Sequence, residues 1–314
     1  MTLGDRIQAV AASAARWRDP EHPARTSAAE ATLAAPNRFT EESLAFALNH
    51  RAHQATEQAL RTWTGDRAAE RTVKVGVVCE ESGPLAGWEA VLGAFLLGHA
   101  VLVAPPGASP ALLPAFWSEV QGAADRVRVG TDTSDQEAVI AEGKNEATVA
   151  VIGGQEDSEA LSGLAEDLLL HEGAAPGTPS VVWAPAGLEP DALLNALAGF
   201  RDFFPPHPDT DGTLALPAAF LASAKRSHAA GPGFLVSKGA PEPQGAAHVR
   251  WTEYKHLGDV TVWLRSQPHL SFLVAAPDVA ERLATDLPVA APGDVHRPAL
   301  GQRNPDLIEF LVGL

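Results

Sequence analysis

The stretch from Val73 to Pro106 constrains the fold more than any other part of the chain, because it reads as a complete strand–turn–helix–strand unit. Runs of β-favouring apolar residues cover Val73–Cys79 and His99–Val103, and the apolar residues of Gly87–Gly98 between them have helical spacing. Two strands joined by a helix are buried most simply side by side in a parallel sheet. The segment therefore predicts a nucleotide-binding α/β fold.

Composition indicates an ordinary folded protein with an acidic surface. The 314 residues are 46% hydrophobic and 20% charged, which is enough for two domains that each have a core. The 39 acidic against 23 basic residues give a formal net charge of −16, and five residues are lysine. We therefore expect neither nucleic acid nor an anionic membrane as a partner, because both attract basic surfaces. A salt-rich cytoplasm and an ordinary acidic protein explain this charge equally well.

The cysteine content and the apolar segments bear on location. Cys79 is the single cysteine, which rules out a disulfide framework within the chain and suits a reducing compartment. We interpret it as a small buried hydrophobic residue rather than a reactive thiol. Residues 1–20 contain no apolar core of a secretion signal. The most apolar stretch, Val91–Val103, is too short to span a bilayer. We expect a cytoplasmic protein with no membrane span.

Strand-like and helix-like segments alternate along the chain, as in a doubly wound α/β fold. Predicted helices cover Leu3–Arg18, Thr40–Trp63, Pro110–Gln121, Ser158–His171, Pro190–Phe203, Leu216–His228 and Asp278–Thr285. Further predicted strands cover Arg126–Val129, Ala147–Ile152, Ser180–Ala184, Gly233–Val236, Val249–Trp251, Asp259–Leu264 and Ser271–Ala275. Elsewhere in residues 204–245, proline and glycine predict long loops.

Four segments follow one another in an informative order. They are Asn37–Leu48, Val73–Pro106, Val149–Pro185 and Leu300–Leu314. In this order they resemble the acyl-CoA reductase family of the aldehyde dehydrogenase superfamily, related to the fatty-acid reductases of bacterial luminescence. The resemblance implies an aldehyde-dehydrogenase-like α/β fold, with a doubly wound Rossmann-type domain and a second α/β domain. We expect a cofactor-binding-like domain over residues 1–147, rejoined by the tail 293–314, and a catalytic-like domain over residues 148–292.

The resemblance also implies where the chemical groups should lie. In the family, a cysteine thiolate in the loop before a strand attacks the acyl thioester, and a side-chain amide in the first corner stabilises the oxyanion. Pro176 matches the nucleophile and Ser82 matches the amide. We expect the two residues to face each other across a cleft. Thr178 and Ser180 are weaker substitute nucleophiles, because His171 is the one candidate base near them in sequence.

The cofactor-site loops after the first and second strands also depart from the family's pattern. Pro84 keeps the corner after the first strand, but Glu80 and Glu81 bring negative charge to it. Ala104 stands where the resemblance implies a lysine that meets the cofactor's ribose or its phosphate. The cation that would attract NADP is therefore missing.

Gly130 and Thr131 match the family's cofactor loop after the third strand. They could begin a helix that points at a phosphate, although an ordinary capped turn is favoured. Asp132 and Asp135 add negative charge beside them. We therefore expect NADP to bind weakly if it binds at all, and we expect no metal.

Two other motifs are explained without a functional site. Asp209–Leu214 matches the D-x-D-G-T-L signature of haloacid-dehalogenase-type phosphatases, but prolines at 205, 206 and 208 cannot form the buried strand that such a nucleophile follows. We interpret the segment as an acidic turn. His50 and His53 share a predicted helix face without a ligand set that has zinc spacing, so we interpret them as solvated.

Two functions from different classes remain. The favoured one is a catalytically degenerate relative of the acyl-CoA reductases that binds a ligand or another subunit, because the thiol, the amide and the cation are replaced together. The alternative is an active NADPH-dependent acyl-CoA reductase that makes aldehydes. The partners considered are accordingly acyl-CoA, a nicotinamide nucleotide, another protein and a second copy of the chain.

Overall fold

The computed structural model describes residues 1–65, 67–79, 83–142 and 147–314. The chain forms two compact units. Unit 1 comprises Met1–Asn37, Leu44–Lys144 and Pro298–Leu314, and unit 2 comprises Arg38–Ser43 and Asn145–Arg297. The predicted residues Glu80, Glu81 and Ser82 lie outside the part of the chain that the structure describes.

Unit 1 is built on a four-stranded sheet with the order β3-β2-β1-β4, in which neighbouring strands are parallel. Its strands are β1 (Lys74–Cys79), β2 (Ala100–Ala104), β3 (Val127–Val129) and β4 (Ala138–Glu142). Its helices are α1 (Leu3–Trp17), α2 (Pro23–Leu33), α3 (Glu41–Gln54), α4 (Glu57–Thr64), α5 (Trp88–Leu97), α6 (Leu112–Ser118) and, near the C-terminus, α12 (Leu307–Val312). Strands β1 and β2 are parallel neighbours, as the segment Val73–Pro106 predicted, and they lie at the centre of the sheet.

One face of this sheet carries the core of unit 1. Alternate residues of the two central strands point into it, namely Val75, Val77, Cys79, Val101 and Val103. All ten residues of α5 are buried, which fits a helix that is apolar on every side.

The opposite face of the same sheet is less completely buried. Residues 130–137 connect β3 to β4 without a helix, and Thr133 and Gln136 from this link lie against Gly76 of β1. Next to Gly76 in the register is Val139, which is 50% exposed. The link replaces a crossover helix, which is the usual connection between parallel strands.

Unit 2 is built on a seven-stranded sheet with the order β11-β10-β5-β6-β9-β8-β7, parallel except for the antiparallel edge pair β7 and β8. Its strands are β5 (Ala147–Val151), β6 (Pro179–Pro185), β7 (His228–Gly231), β8 (Phe234–Lys238), β9 (His248–Tyr254), β10 (Leu270–Ala275) and β11 (Val289–Ala290). Its helices are α7 (Ser158–Leu169), α8 (Asp191–Phe203), α9 (Thr210–Ser223), α10 (Leu257–Arg265) and α11 (Pro277–Leu283).

Both faces of the unit 2 sheet are buried under packed side chains. Ala150 and Val182 belong to one core, and their neighbours Val149 and Val181 belong to another on the opposite face. A parallel sheet with both faces covered is typical of doubly wound folds. The predicted α/β class, with a Rossmann-type parallel sheet and a second α/β unit, is confirmed.

Three predicted elements were wrong. Asp259–Leu264 lies in helix α10 rather than in a strand, because Val260 and Leu264 are buried at helical spacing and Asp259 accepts a hydrogen bond from the N–H of His256 at the helix start (3.3 Å). Predicted helix Thr40–Trp63 is two helices, since the Thr56 hydroxyl caps α4.

The third correction concerns the segment that was interpreted as an acidic turn. Asp209–Leu214 begins helix α9, which starts earlier than the predicted helix and ends at Ser223. The Thr213 hydroxyl donates to the Asp209 carbonyl within this first turn, at 3.0 Å. Among the described residues, no helix is long and apolar enough to cross a membrane.

Candidate functional site

The loop that carries Pro176 joins α7 to β6 in unit 2. It begins with a 3₁₀ turn, Leu170–Gly173, and it ends where the Thr178 N–H donates to the carbonyl of Ala175 at 3.1 Å. Pro176 is half-buried and Gly177 after it has a φ of +79°. A proline side chain offers no atom for nucleophilic attack, so Pro176 cannot itself be a nucleophile, and its match to the family's nucleophile stays a prediction.

The start of this loop is held in a sparsely populated backbone conformation. His171 (φ +53°) and Glu172 (φ +58°) both lie in the left-handed region, followed by Gly173 at +65°. For residues other than glycine, such a conformation costs about 1–2 kcal/mol each. A Cβ atom on Gly173 would lie 2.8 Å from the Leu168 carbonyl oxygen and from the Ala247 amide nitrogen. Only a firmly packed surrounding keeps three such residues in a row.

A buried ion pair provides that support. Arg201 of α8 donates from both Nη atoms to the Glu172 carboxylate, at 3.0 and 3.3 Å, and the Thr210 hydroxyl donates to the same carboxylate. Arg201 Nη2 also donates to the Gly233 carbonyl at 2.9 Å. Glu172 and Arg201 are nearly inaccessible, with exposed fractions of 3% and 6%. The loop is therefore anchored to α8, α9 and the β7–β8 turn.

A second buried carboxylate ties the end of unit 2 to α7. Asp167 is fully buried and accepts hydrogen bonds from the N–H groups of Gly293 (2.7 Å) and Val295 (3.1 Å). Burial nevertheless raises the pKa of Asp167 from 3.8 to about 8, because removal from water disfavours the charged form more than two N–H donors favour it.

The candidate substitute nucleophiles lie in different surroundings. Thr178 Oγ1 is buried and has no hydrogen-bond partner among the described residues, although a hydroxyl nucleophile needs a base within hydrogen-bonding reach. Ser180 lies within strand β6 rather than in the loop. His171 is buried and packs edge-on against His296, with ring centroids 5.6 Å apart.

A cleft of about 220 Å³ lies at the carboxyl ends of β5 and β10. The chain continues from β5 to β6 on one side, while β10 pairs with β5 on the other, so this is the topological switch point where open α/β sheets bind ligands. Gly153, Glu156 and Arg282 line the cleft. The Glu156 carboxylate accepts from the N–H groups of Gly153 (2.5 Å) and Gly154 (2.9 Å). Donors suited to a bound anion therefore already hold a carboxylate of the chain.

In unit 1, the corner after β1 is tightly closed from Gly83 onward. Pro84 is half-buried in a turn, Leu85 has a φ of +61°, and the Trp88 N–H donates to the Leu85 carbonyl at 3.1 Å. A Cβ atom on Gly87 would lie 2.3 Å from the sulfur of Cys79, which is buried at 8% exposure. Cys79 thus lies in a packed interior in unit 1, as a small hydrophobic side chain does.

The other three residues predicted for the cofactor lie at the carboxyl edge of the unit 1 sheet. Ala104 ends β2, while Lys74 lies at the opposite end of the neighbouring strand. Gly130 follows β3 and donates its N–H to the Val103 carbonyl at 3.0 Å, and Thr131 is exposed. Residues 130–137 begin no helix. Of the two structures considered for Gly130 and Thr131, a helix start and a capped turn, the turn is therefore the one observed.

The turn after β3 holds an exposed carboxylate. Asp132 accepts from the N–H of Ser134 at 3.0 Å, and hydrogen bonds from the side chain and backbone of Ser134 lower the pKa of Asp132. A dinucleotide phosphate would meet this negative charge instead of helix N–H groups.

The histidines noted in the sequence have structural partners. His50 Nε2 lies 3.3 Å from the Pro298 carbonyl oxygen, and His53 Nδ1 lies 2.8 Å from that of Asn49. Within the ranges that the structure covers, no group of three or more His, Cys, Asp or Glu side chains is placed to hold a metal ion.

Sequence reasoning missed Glu172, Arg201, Glu156 and Asp167. The pattern Gly-Gly-x-Glu after the β5 strand could have indicated Glu156, since two glycines at a strand end often leave N–H groups free for an acceptor. The pairing of Glu172 with Arg201 carries no local signal.

Comparisons with known proteins bear on the fold. No protein-family model matches the chain, and no curated protein matches it. Solved structures of other proteins, in contrast, superimpose on the chain. The substrate-bound AldH of Staphylococcus aureus superimposes with a TM-score of 0.65 at 12% identity, covering 96% of this chain and 83% of that chain. An NAD-dependent benzaldehyde dehydrogenase from Corynebacterium glutamicum gives 0.69 at 12% identity, covering 95% and 82%.

An indole-3-acetaldehyde dehydrogenase in complex with NAD⁺ gives a TM-score of 0.69 at 11% identity, covering 93% of this chain and 76% of that chain. At such low identity the similarity concerns the backbone architecture. The chain has the aldehyde dehydrogenase fold.

Proposed function

We propose that the chain is a catalytically degenerate relative of the acyl-CoA reductases, within the aldehyde dehydrogenase superfamily, with a binding or subunit-interaction role. In this proposal unit 1 derives from the cofactor-binding domain and unit 2 from the catalytic domain. The observation that carries it is the loop at Pro176, which is anchored by the buried Glu172–Arg201 pair although it presents no nucleophile. The scaffold of the site persists without its chemical group.

The cofactor side supports the same conclusion. A nicotinamide dinucleotide needs donors or cations for its phosphates, and at the matched positions Ala104 offers neither, Thr131 begins no helix and Asp132 is anionic. These residues do not fit the cofactor. One charge-assisted contact is typically worth about 1.5–3 kcal/mol, so losing it weakens affinity by roughly one to two decades.

The switch-point cleft of unit 2 is a separate feature. It lies at the carboxyl ends of β5 and β10, whereas Pro176 precedes the start of β6, which is parallel to β5, so the two lie at opposite edges of the sheet. In the cleft Glu156 occupies the N–H groups of Gly153 and Gly154, and Asp157, Asp278 and Arg282 are part of the lining. The cleft therefore does not bear on the acyl site that the resemblance places at Pro176.

The decisive experiment measures chemistry and cofactor binding on the purified chain. We expect no NADPH oxidation with acyl-CoA, no covalent adduct by intact-mass spectrometry, and no micromolar binding of NADPH or NADH by calorimetry. Aldehyde production by the wild type would overturn the proposal and favour the active reductase. Micromolar cofactor binding without turnover would leave the loss at Pro176 in place and contradict the argument about unit 1.

A cysteine variant separates the missing thiol from the rest of the machinery. We expect Pro176→Cys to accept an acyl group from acyl-CoA without releasing aldehyde, because acylation needs no hydride and reduction needs a bound cofactor. Ala174→Cys in the same loop is the matched control, since residue 174 is exposed. An adduct on Pro176→Cys that forms no faster than on Ala174→Cys would show that position 176 does not face an acyl site. The orientation of Pro176 towards Ser82 stays a prediction.

A further inference from the structure

Arg250 of β9 carries a buried positive charge that the chain does not balance. The residue is 5% exposed, and its one hydrogen bond runs from Nη1 to the Lys238 carbonyl oxygen at 3.4 Å. Its Nε–H is buried without an acceptor, and no carboxylate of the described residues forms an ion pair with it. A buried charge is normally paired or fully hydrogen-bonded, because it has given up its hydration. Arg250 therefore lacks a counterion.

The other buried arginines in the part of the chain that the structure describes are better satisfied. Arg6 and Arg25 each donate to two oxygen acceptors, at 2.6 to 2.8 Å. Arg201 has an Nε without an acceptor too, but the Glu172 carboxylate balances its charge. The deficit at Arg250 is therefore not a general property of buried arginines in this protein.

A cleft of about 480 Å³ lies beside the Arg250 guanidinium, and Trp183, Gly239 and Thr252 are part of its lining. The register pairs Trp183 with Thr252 and Val181 with Arg250, so all four share one face of the sheet. A Cβ atom on Gly239 would lie 2.5 Å from Arg250 Nη1. The guanidinium therefore lies directly behind the backbone of this glycine.

The segment 240–244 forms one side of the cleft and is held loosely. Among the described residues, its hydrogen bonds are internal. The Glu242 N–H donates to the Ala240 carbonyl at 2.7 Å, and the Gln244 side chain donates to the carbonyls of the two residues before it. The segment can shift without breaking a hydrogen bond to the sheet, which gives a ligand in the cleft access to Arg250.

The groups around the cleft define a class of ligand. The Nε–H and Nη2–H edge of a guanidinium matches the two oxygens of a carboxylate. Trp183 and Pro241 provide apolar surface in the lining. Lys238 adds no unbalanced charge, since its Nζ pairs with Glu189 at 2.9 Å and with Glu253 at 3.4 Å. With the Glu253 carboxylate in the lining, a single negative charge is favoured over two.

We propose that this cleft binds a small organic monocarboxylate with an apolar body, its carboxylate on Arg250 and its body against Trp183 and Pro241. The volume is in the range of small-molecule sites. The cleft lies towards the carboxyl ends of β8 and β9, whereas Pro176 precedes the start of the parallel strand β6. The inference therefore depends on neither the loss of catalysis nor the fate of the cofactor.

Calorimetry with 3-phenylpropanoate tests the proposal, with the neutral 3-phenylpropanamide as its counterpart. We expect the wild type to bind the anion and to bind the amide at least about tenfold more weakly, because the amide cannot accept the charge-assisted pair of hydrogen bonds. Arg250→Met should weaken binding of the anion at least about tenfold. Arg128→Met removes an exposed arginine of unit 1 and should bind as the wild type does. No binding by the wild type, or equal binding of acid and amide, would overturn the proposal.

Glu242 is the rival partner for Arg250 within the chain. Burial lowers the pKa of the Arg250 guanidinium, Glu242 raises it and Arg226 lowers it, yet an arginine stays charged. We expect Glu242→Gln to keep the wild-type melting temperature and to bind 3-phenylpropanoate at least as tightly, because a competing charge is removed. Circular dichroism measures melting and verifies that every variant folds. A lower melting temperature in Glu242→Gln together with weaker binding would assign Glu242 as the partner and refute the site.

Discussion

The sheet of unit 2 is packed on both faces, whereas the sheet of unit 1 buries apolar side chains on one. In unit 2, helix α7 lies very close to the segment that follows β11. A Cβ atom on Gly163 of this helix would lie 2.6 Å from the Pro292 carbonyl oxygen. In unit 1, the nearest atoms over Gly76 belong to the side chains of Thr133 and Gln136 in the link 130–137. Unit 2 thus combines a sheet covered on both faces with an anchored loop, whereas residues 130–137 of unit 1 form a link after β3 that contains no helix.

The largest expected effect concerns the loop anchor in unit 2. Arg201→Leu should destabilise the protein by about 3–5 kcal/mol, because it leaves the Glu172 carboxylate buried without its ion-pair partner. Equilibrium unfolding in urea measures this loss. Glu189→Ala, which breaks the exposed pair with Lys238, should cost at most about 1 kcal/mol. Equal losses in the two variants would mean that the Pro176 loop is not specially anchored.

Glycine substitutions compare a close contact between a helix and a loop in unit 2 with the cover of a strand in unit 1. Gly163→Ala should destabilise by about 1–3 kcal/mol, because the added methyl group meets backbone atoms of Pro292 and Gly293 that cannot move aside. Gly76→Ala should change stability by less than about 1 kcal/mol, since Thr133 and Gln136 can rotate away. The midpoints of urea unfolding of the two variants measure this difference in stability. A larger loss at Gly76 than at Gly163 would contradict the view that unit 1 is lightly covered.

The buried carboxylate of Asp167 predicts a pH dependence that originates in unit 2. Its pKa of about 8 in the folded protein lies above 3.8, the value expected when unfolded, so the folded state binds the extra proton. Stability from this group is complete below about pH 4 and is lost as the pH rises towards 8, by at most about 1.4 kcal/mol for each pH unit.

His248 acts in the opposite direction over a different range. Burial lowers the pKa of His248 from 6.5 to about 4, so its contribution to stability is lost as the pH falls through that window. Between pH 6.5 and 8, Asp167 therefore dominates over His248. Urea unfolding in this range should show stability decreasing with pH in the wild type and a flatter profile in Asp167→Asn. Identical slopes would contradict the raised pKa.

The central elements of both sheets follow from local sequence. Val73–Cys79 and the strand after Gly98 were predictable because apolar runs are bounded by glycine and proline at the right distances. Helix α10 was mistaken for a strand because its β-branched residues outweighed the helical spacing of Val260 and Leu264. Strand β4 was missed, although Ala138–Ala141 is a short apolar run of the expected kind.

The site was less predictable because its support is made by distant residues. The match of Pro176 to a nucleophile position rests on the resemblance and stays a prediction, whereas the Glu172–Arg201 pair joins positions that no local pattern relates. The left-handed conformation of His171 and Glu172 is equally hidden, since residues other than glycine rarely adopt it. The absence of a helix from residues 130–137 was predicted in part, because Asp132 and Asp135 are typical of a turn.

The smallest expected effect is the most informative about unit 1. Ala104→Lys restores the cation implied by the resemblance, and we expect it to raise NADPH affinity by about tenfold, the lower end of the range for one charge-assisted contact, because the new cation acts without a helix N-terminus beside it. The remaining deficit lies in the link 130–137, which offers no helix N-terminus to a phosphate. Calorimetry with NADPH compares Ala104→Lys with the neutral control Ala104→Gln. Micromolar binding by the lysine variant alone would show that the missing cation, and not the missing helix, separates unit 1 from a working cofactor domain.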